Sequence, residues 1–216
     1  GLLAGDVAYD PQTLRETLSL IEQETDRLQR RVQNLLSMSK MESGDALISR
    51  DWVDLADVVA SALESLRSIR GTRPVSFEFQ PDLPLVEADY DQLLIAVRNL
   101  LENAFLYSPP ESPVDVNVSQ SLGHVRVRVR DYGQGLMPDE FERIFDKFYR
   151  GRSARRIPGT GLGLPICRGI AEAHGGRLGA EHAPGGGVAF VLSIPAGTEQ
   201  PMVEEAPGFH GSQAKA

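Results

Sequence analysis

Cysteine is nearly missing from these 216 residues. The one copy, Cys167, has no second cysteine to pair with, so an internal disulfide framework is excluded and a reducing, cytoplasmic setting is expected. The 4 histidines, His124, His174, His182 and His210, are scattered and make no Cys/His cluster of zinc-binding spacing. Positive charge is in deficit: 22 Lys+Arg against 30 Asp+Glu leave a formal net charge of −8, which argues against the basic surface that nucleic-acid binding requires. Long apolar runs are absent too. None approaches the roughly 20 residues that span a bilayer, and the chain opens at Gly1 without a basic-then-apolar leader. A soluble chain is expected, with any membrane attachment made by parts of a longer parent. Against these absences, 41% hydrophobic and 24% charged residues are ordinary globular values and exclude collagen-like, mucin-like and wholly disordered chains.

Periodicity organises the chain. Leu14, Ile21, Leu28 and Leu35 recur every seven residues from Pro11 to Ser43, with Leu18 and Val32 four residues after two of them, and Gly44 provides a stop. This long helix carries a narrow apolar seam beside a densely charged face, a pattern that asks for a partner helix. Asp51–Asp54 reads as a short strand or linker, Leu55–Arg70 as an amphipathic helix ended by Gly71, and Val75, Phe77 and Phe79 as a strand. A central helix is expected over Asp89–Ser108, where Leu93, Val97, Leu100, Leu101 and Ala104 share a face and Pro109 forbids continuation. Val114, Val116 and Val118, then Gly123, then Val125, Val127 and Val129 predict an antiparallel pair with one apolar face. Arg126, Arg128 and Arg130 fall on the opposite face; with no aromatic alternating among them they read as solvated. Leu136–Pro158 has little period and reads as a mobile loop, Leu162–His174 as a helix, Gly176–Glu181 and Gly187–Ile194 as closing strands, and residues 196–216 as a disordered tail.

Three constellations carry chemistry. Asn99 and Asn103 stand four apart on the central helix, which puts both carboxamides on one face, and an amide oxygen is a hard neutral ligand acceptable to Mg²⁺. The strand ending at Arg130 runs into Asp131-Tyr132-Gly133-Gln134-Gly135, a carboxylate followed by glycines that permit close approach of a flat ligand. Such an aspartate accepts from the exocyclic N–H of adenine and faces guanine acceptor to acceptor, so it selects adenine. Gly159-Thr160-Gly161-Leu162-Gly163-Leu164 leads straight into a helix with Pro165 in its first turn, offering unshielded backbone N–H groups suited to phosphates. Each alone has a bland reading: exposed amides, a turn, a glycine-rich helix start. A Rossmann reading fails for want of a βαβ unit, and a Walker A reading for want of Gly-Lys-Ser/Thr.

Their order is specific. The chain resembles the GHKL ATP-binding domain of sensor histidine kinases: Arg98-Asn99-Leu100-Leu101-Glu102-Asn103-Ala104 is similar to the N box, Asp131–Gly135 to the G1 box, Phe145-Asp146-Lys147-Phe148-Tyr149-Arg150 to the F box and Gly159–Leu164 to the G2 box. The likeness extends from Asp10 to Pro195, because residues 35–44 (LLSMSKMESG) resemble the end of the second dimerisation helix. Within the family, Asp51-Trp52, Leu83-Pro84-Leu85-Val86, Cys167-Arg168-Gly169-Ile170 and Ala173-His174-Gly175-Gly176 are most similar to Kdp-type potassium and turgor sensors. The resemblance implies an α+β fold, the two-layer Bergerat sandwich with a mixed, mainly antiparallel sheet on three helices. It implies residues 1–44 as part of a dimerisation domain, 45–195 as the catalytic domain and 196–216 as a tail. It further implies ATP with Mg²⁺ as cofactors, Asn103 and Asn99 as metal ligands and Asp131 as the adenine contact. Nucleotide contacts would also come from Tyr107, Gly133, Gly135, Lys147, Tyr149 and Arg150, with Gly159, Thr160, Gly161, Leu162, Gly163 and Leu164 as the phosphate cradle.

The reaction so implied moves the γ-phosphoryl of ATP to a histidine and on to a response regulator, with the chain as one half of a homodimer. Asn99 stands where gyrase-type ATPases carry a water-activating glutamate, which disfavours hydrolysis. Two departures from the family pattern stand out: Leu106 replaces a lysine three residues after the second asparagine, and no His-Glu-Leu-Arg-Thr-Pro-like acceptor motif occurs. Autophosphorylation in cis is therefore not expected. A non-catalytic ATP-responsive binding module is the alternative, and a gyrase- or MutL-type ATPase a more remote one.

Overall fold

The computed structural model describes residues 10–21, 25, 32, 48–152 and 159–197. Residues 11–21 form helix α1, with Leu14, Leu18 and Ile21 exposed. Val32 is exposed as well, while Leu28, Leu35, the expected stop at Gly44 and His210 lie outside the described residues.

Two sheets and three principal helices follow. Strand β1 (Asp51–Val53) leads into α2 (Leu55–Ser65), capped by Asp54, whose side chain accepts from the Ala56 N–H. The helix expected to run unbroken to Arg70 is interrupted at Leu66, and Arg67–Arg70 forms a separate turn, α3. The break is a packing effect: Leu66 is fully buried and its backbone leaves helical geometry, while α3 buries nothing. After β2 (Val75–Phe79) comes β3 (Val86–Ala88), a strand too short to show in sequence alternation; it pairs antiparallel with β1. Asp89 then caps α4 (Tyr90–Tyr107) by accepting from the Gln92 N–H at 3.1 Å. The helix ends at Ser108, whose extended backbone is what a residue preceding proline prefers.

Strands β4 (Val114–Ser121) and β5 (His124–Arg130) form the expected hairpin, with Val116 opposite Val129 and Val118 opposite Val127. Helix α5 (Gly163–Ala173) and strands β6 (Arg177–His182) and β7 (Val188–Pro195) complete a five-stranded sheet of order β2-β4-β5-β7-β6, antiparallel except where β2 runs parallel to β4. Inward valines of β4 and β5 are buried against α4, which packs between α2 and α5. Each such valine or leucine removed from water stabilises the fold by about 1.5–3 kcal/mol. On the outer face Arg128 lies 4.0 Å from Glu181, and the Arg130 guanidinium sits 4.2 Å from the centroid of the Tyr132 ring.

Two expectations need correcting. The stretch 136–152 is not a featureless loop: it holds a 3-10 turn at Arg143–Phe145 and buries Ile144 and Phe145; residues 153–158 lie outside the described residues. The tail does not start at 196 either, because the Ala196 and Gly197 N–H groups donate to Gly123 and Leu85, both at 2.9 Å, and Gly197 packs on Trp52. No helix among the described residues is long and apolar enough to cross a membrane.

Candidate functional site

Helix α4 presents Asn99 and Asn103 on one half-buried face. Asn99 Nδ2 donates to the Ile95 carbonyl at 3.0 Å, which satisfies a mid-helix carboxamide that would otherwise compete with the backbone. Its Oδ1 consequently lies at the start of α5: a Cβ added to Gly163 would stand 3.3 Å from it. Gly163 is the first residue of α5, and no side chain caps that end. The Thr160 hydroxyl reaches only as far as the Leu162 N–H, at 3.4 Å. The first N–H groups of α5 therefore remain available to an anion beside Asn99.

Asp131, at the end of β5, is 4% exposed. Its Oδ1 accepts from the Gly133 N–H at 2.8 Å and the Val188 N–H at 3.2 Å, which leaves Oδ2 as the acceptor still open among the described residues. Burial pushes its pKa up; the two backbone donors and the Arg130 guanidinium pull the other way without cancelling that effect. Glycine is compulsory on both sides of this carboxylate. A Cβ on Gly133 would collide with the Tyr107 carbonyl oxygen, and one on Gly187, at φ +81°, with the Asp131 backbone. The Tyr132 N–H donates to Ser108 Oγ at 3.1 Å, a further tie between the end of α4 and the turn after β5.

The turn after the 3-10 segment meets the glycine loop directly. Phe148, at φ +63°, donates its N–H to the Gly161 carbonyl at 3.0 Å, and a Cβ on Gly161 would lie 2.8 Å from the Phe148 carbonyl carbon. Tyr149 packs partly into the core with the Arg143 guanidinium 4.5 Å from its ring centroid. Tyr107 is half-buried, and its pKa is raised by that burial, opposed by the charge of Arg150. Lys147 and Thr160 are exposed, as is Leu106, while Leu162 is buried and offers a ligand only its backbone.

Three close approaches thus join the four segments: Asn99 with Gly163, Tyr107 with Gly133, and Phe148 with Gly161. Residues 88–198, just over half the chain, match the model of the histidine kinase-, DNA gyrase B- and HSP90-like ATPases. The chain belongs to this family. Over 97% of its length it is 34% identical to the sensor protein KdpD of Escherichia coli (strain K12), covering 23% of that relative. Over 85% of its length it is 33% identical to the sensor histidine kinase WalK of Bacillus subtilis (strain 168), covering 31% of it. It therefore spans only a quarter to a third of these relatives. Among solved structures, the mycobacterial sensor histidine kinase MprB superposes with a TM-score of 0.63 at 34% identity, over 68% of this chain and 98% of that one. Full-length ShkA in complex with AMPPNP gives 0.72 at 25% identity, over 93% of this chain and 42% of that one. The GHKL sandwich expected from the four motifs is the fold observed.

Sequence reasoning overlooked two contributors: Gly187, through close backbone approach to Asp131, and Ser108, whose hydroxyl accepts the Tyr132 N–H. The run Gly185-Gly186-Gly187 is the sequence signal that could have pointed to a tight approach, and in the structure all three glycines are at positive φ.

The three histidines among the described residues are occupied elsewhere. His174 is buried between the Asp89 N–H, which donates to its Nε2 at 3.0 Å, and the Ile170 carbonyl, 2.8 Å from Nδ1. His182 lies against Phe141, with ring centroids 4.2 Å apart. His124 Nδ1 is 3.0 Å from the Leu122 carbonyl.

Proposed function

We propose that this chain is the ATP-binding catalytic part of a sensor histidine kinase. The observation that carries the reading is the convergence of Asn99, Asp131 and the Gly159–Leu164 loop through the three approaches just described. Adenine would lie on Asp131, giving its N6–H to Oδ2, with Gly133 and Gly135 forming the turn beside it, packed against Tyr107 and Gly187. The triphosphate would run to the uncapped start of α5, with Tyr149, Arg150 and Lys147 contributing from the segment that meets Gly161.

The pair Asn99 and Asn103 suits a hard divalent cation, and the position of Asn99 Oδ1 beside the phosphate cradle is the observation that favours Mg²⁺. Bound there, Mg²⁺ neutralises phosphate charge. The chain's own residues orient the nucleotide, and positioning with charge neutralisation accounts for most of phosphoryl transfer. The neutral Asn99 activates no water, and Glu102 is engaged by Arg98 at 3.3 Å, so transfer to a protein acceptor is favoured over hydrolysis. The acceptor is a histidine outside these residues, with a response regulator downstream. The chain works as a homodimer through α1, on the cytoplasmic side of a membrane-anchored parent.

Calorimetric titration with ADP and GDP, each with and without Mg²⁺, tests the binding half; equal affinities for the two purines would overturn it. Mixing the chain with γ-labelled ATP and a separately expressed acceptor helix tests the transfer half. Acid-labile label is expected on the added helix and none on this chain.

A further inference from the structure

We infer that Glu140 is a positioning residue for the triphosphate, holding in place the segment that carries Phe145, Tyr149 and Arg150. The inference rests on the nucleotide site proposed above. Glu140 is 2% exposed, and a buried carboxylate is tolerated only where its oxygens are hydrogen-bonded. Here the two oxygens serve opposite ends of one segment: Oε2 accepts the Met137 N–H at 2.9 Å and Oε1 accepts the Arg152 N–H at 2.8 Å. The Glu140 backbone continues the clamp, its N–H donating to the Met137 carbonyl and its carbonyl accepting from the Ile144 N–H, both at 2.9 Å. Gly151 lies against the carboxylate so closely that a Cβ there would be 3.1 Å from Oε1. Everything between Met137 and Arg152 is thereby closed into a loop whose base is one side chain, and its far side meets the phosphate cradle through the Phe148–Gly161 hydrogen bond at 3.0 Å. The adenine contact at Asp131 lies outside this loop. Loosening the clamp should consequently weaken the grip on phosphates and leave the grip on the base.

The test compares AMP-PNP with adenosine on the whole chain. Glu140→Gln keeps the shape but turns an NH₂ group toward one of the two backbone donors. It is expected to weaken AMP-PNP roughly tenfold, the loss of one charge-assisted bond, while adenosine affinity stays within about twofold. Hydrogen exchange at the Met137 or Arg152 amide should quicken in the same variant, a change that a remote loss of packing would not localise there. Gly151→Ala, which presses on Oε1, is expected to act in the same direction and decides the matter by the same comparison if Glu140→Gln does not fold. Parallel loss of AMP-PNP and adenosine, or loss of neither, would overturn the inference. Failure of the unmodified chain to bind AMP-PNP would instead overturn the nucleotide site itself.

Discussion

Asp131 and Val188 hold each other twice: the Asp131 N–H donates to the Val188 carbonyl at 2.9 Å, and the Val188 N–H donates to Asp131 Oδ1 at 3.2 Å. One oxygen of the carboxylate is thus committed to fixing the turn, and the other is the one that would meet the proposed adenine. In Asp131→Asn the carboxamide oxygen can keep the two backbone donors, which puts the NH₂ where an acceptor is required. ADP affinity is expected to fall by about 10- to 100-fold, the worth of a charge-assisted bond, with GDP unchanged or improved. Titration of both nucleotides on the variant checks it; retained preference for adenine would remove Asp131 from the site.

The same carboxylate makes binding depend on pH. Burial raises its pKa, so on acidification Asp131 takes up a proton earlier than an exposed aspartate, which titrates near about 3.9. For an acid with a raised folded-state pKa, the charged form costs stability above that pKa, and the cost is relieved as pH falls through it. Binding has the opposite sign, because a protonated Oδ2 becomes a donor and loses its bond to adenine. ADP affinity should therefore decline as pH is lowered toward the ordinary aspartate range while Asp131's own contribution to stability rises. A pH series by calorimetry, flat in Asp131→Asn, would bear this out.

Two glycines of one loop should respond differently. Gly161 sits at φ +70°, and the Phe148 carbonyl carbon is 2.8 Å from where its Cβ would stand, whereas a Cβ on Gly159 would meet nothing within 4 Å and that residue has no positive φ. Gly161→Ala is expected to cost about 2–4 kcal/mol from left-handed backbone strain and overpacking, and to weaken AMP-PNP. Gly159→Ala should stay within about 0.5 kcal/mol in stability. Urea denaturation of the pair measures the contrast; equal effects would mean that Gly161 is replaceable.

His174 offers a purely structural prediction. Its two ring nitrogens join the Asp89 N–H, at the cap of α4, to the Ile170 carbonyl in α5, and the residue is 4% exposed. His174→Ala leaves a buried donor unpaired and opens a cavity, which should cost about 3 kcal/mol. Label transfer to an added acceptor helix, where the variant still folds, should persist. Loss of transfer with unchanged stability would give this histidine a chemical role instead.

How much of this was readable in advance follows from how local each signal is. Helix α4 was legible because Leu93, Val97, Leu100, Leu101 and Ala104 keep one period and Pro109 ends it. The β4–β5 register was legible because alternating valines leave only one face to bury. Strand β3 has three residues, and its partner β1 lies far away in sequence, so no window contains both. The interruption at Leu66 depends on the core that receives that side chain. Of the site, Asn99, Asp131 and the glycine loop could be named from residue chemistry and resemblance. That Gly187 must pass under Asp131, or that Glu140 spans from Met137 to Arg152, is a property of the folded backbone alone.

Helix α1 raises the question of what covers its apolar seam. Leu14, Leu18 and Ile21 fall at helical positions i, i+4 and i+7, one face, yet are 40%, 55% and 49% exposed. Burying such side chains is worth about 1.5–3 kcal/mol each, and the other described residues do not supply the cover. If a second copy does, the double substitution Leu14→Glu with Ile21→Glu should raise the dimer dissociation constant by at least about 100-fold, since roughly 2.7 kcal/mol suffices for that change. ADP binding should be untouched, because α1 carries none of the proposed nucleotide contacts. Sedimentation velocity over a concentration series measures the association, with calorimetry as the control. An unmodified chain that stays monomeric at high micromolar concentration would overturn the proposed homodimer through α1.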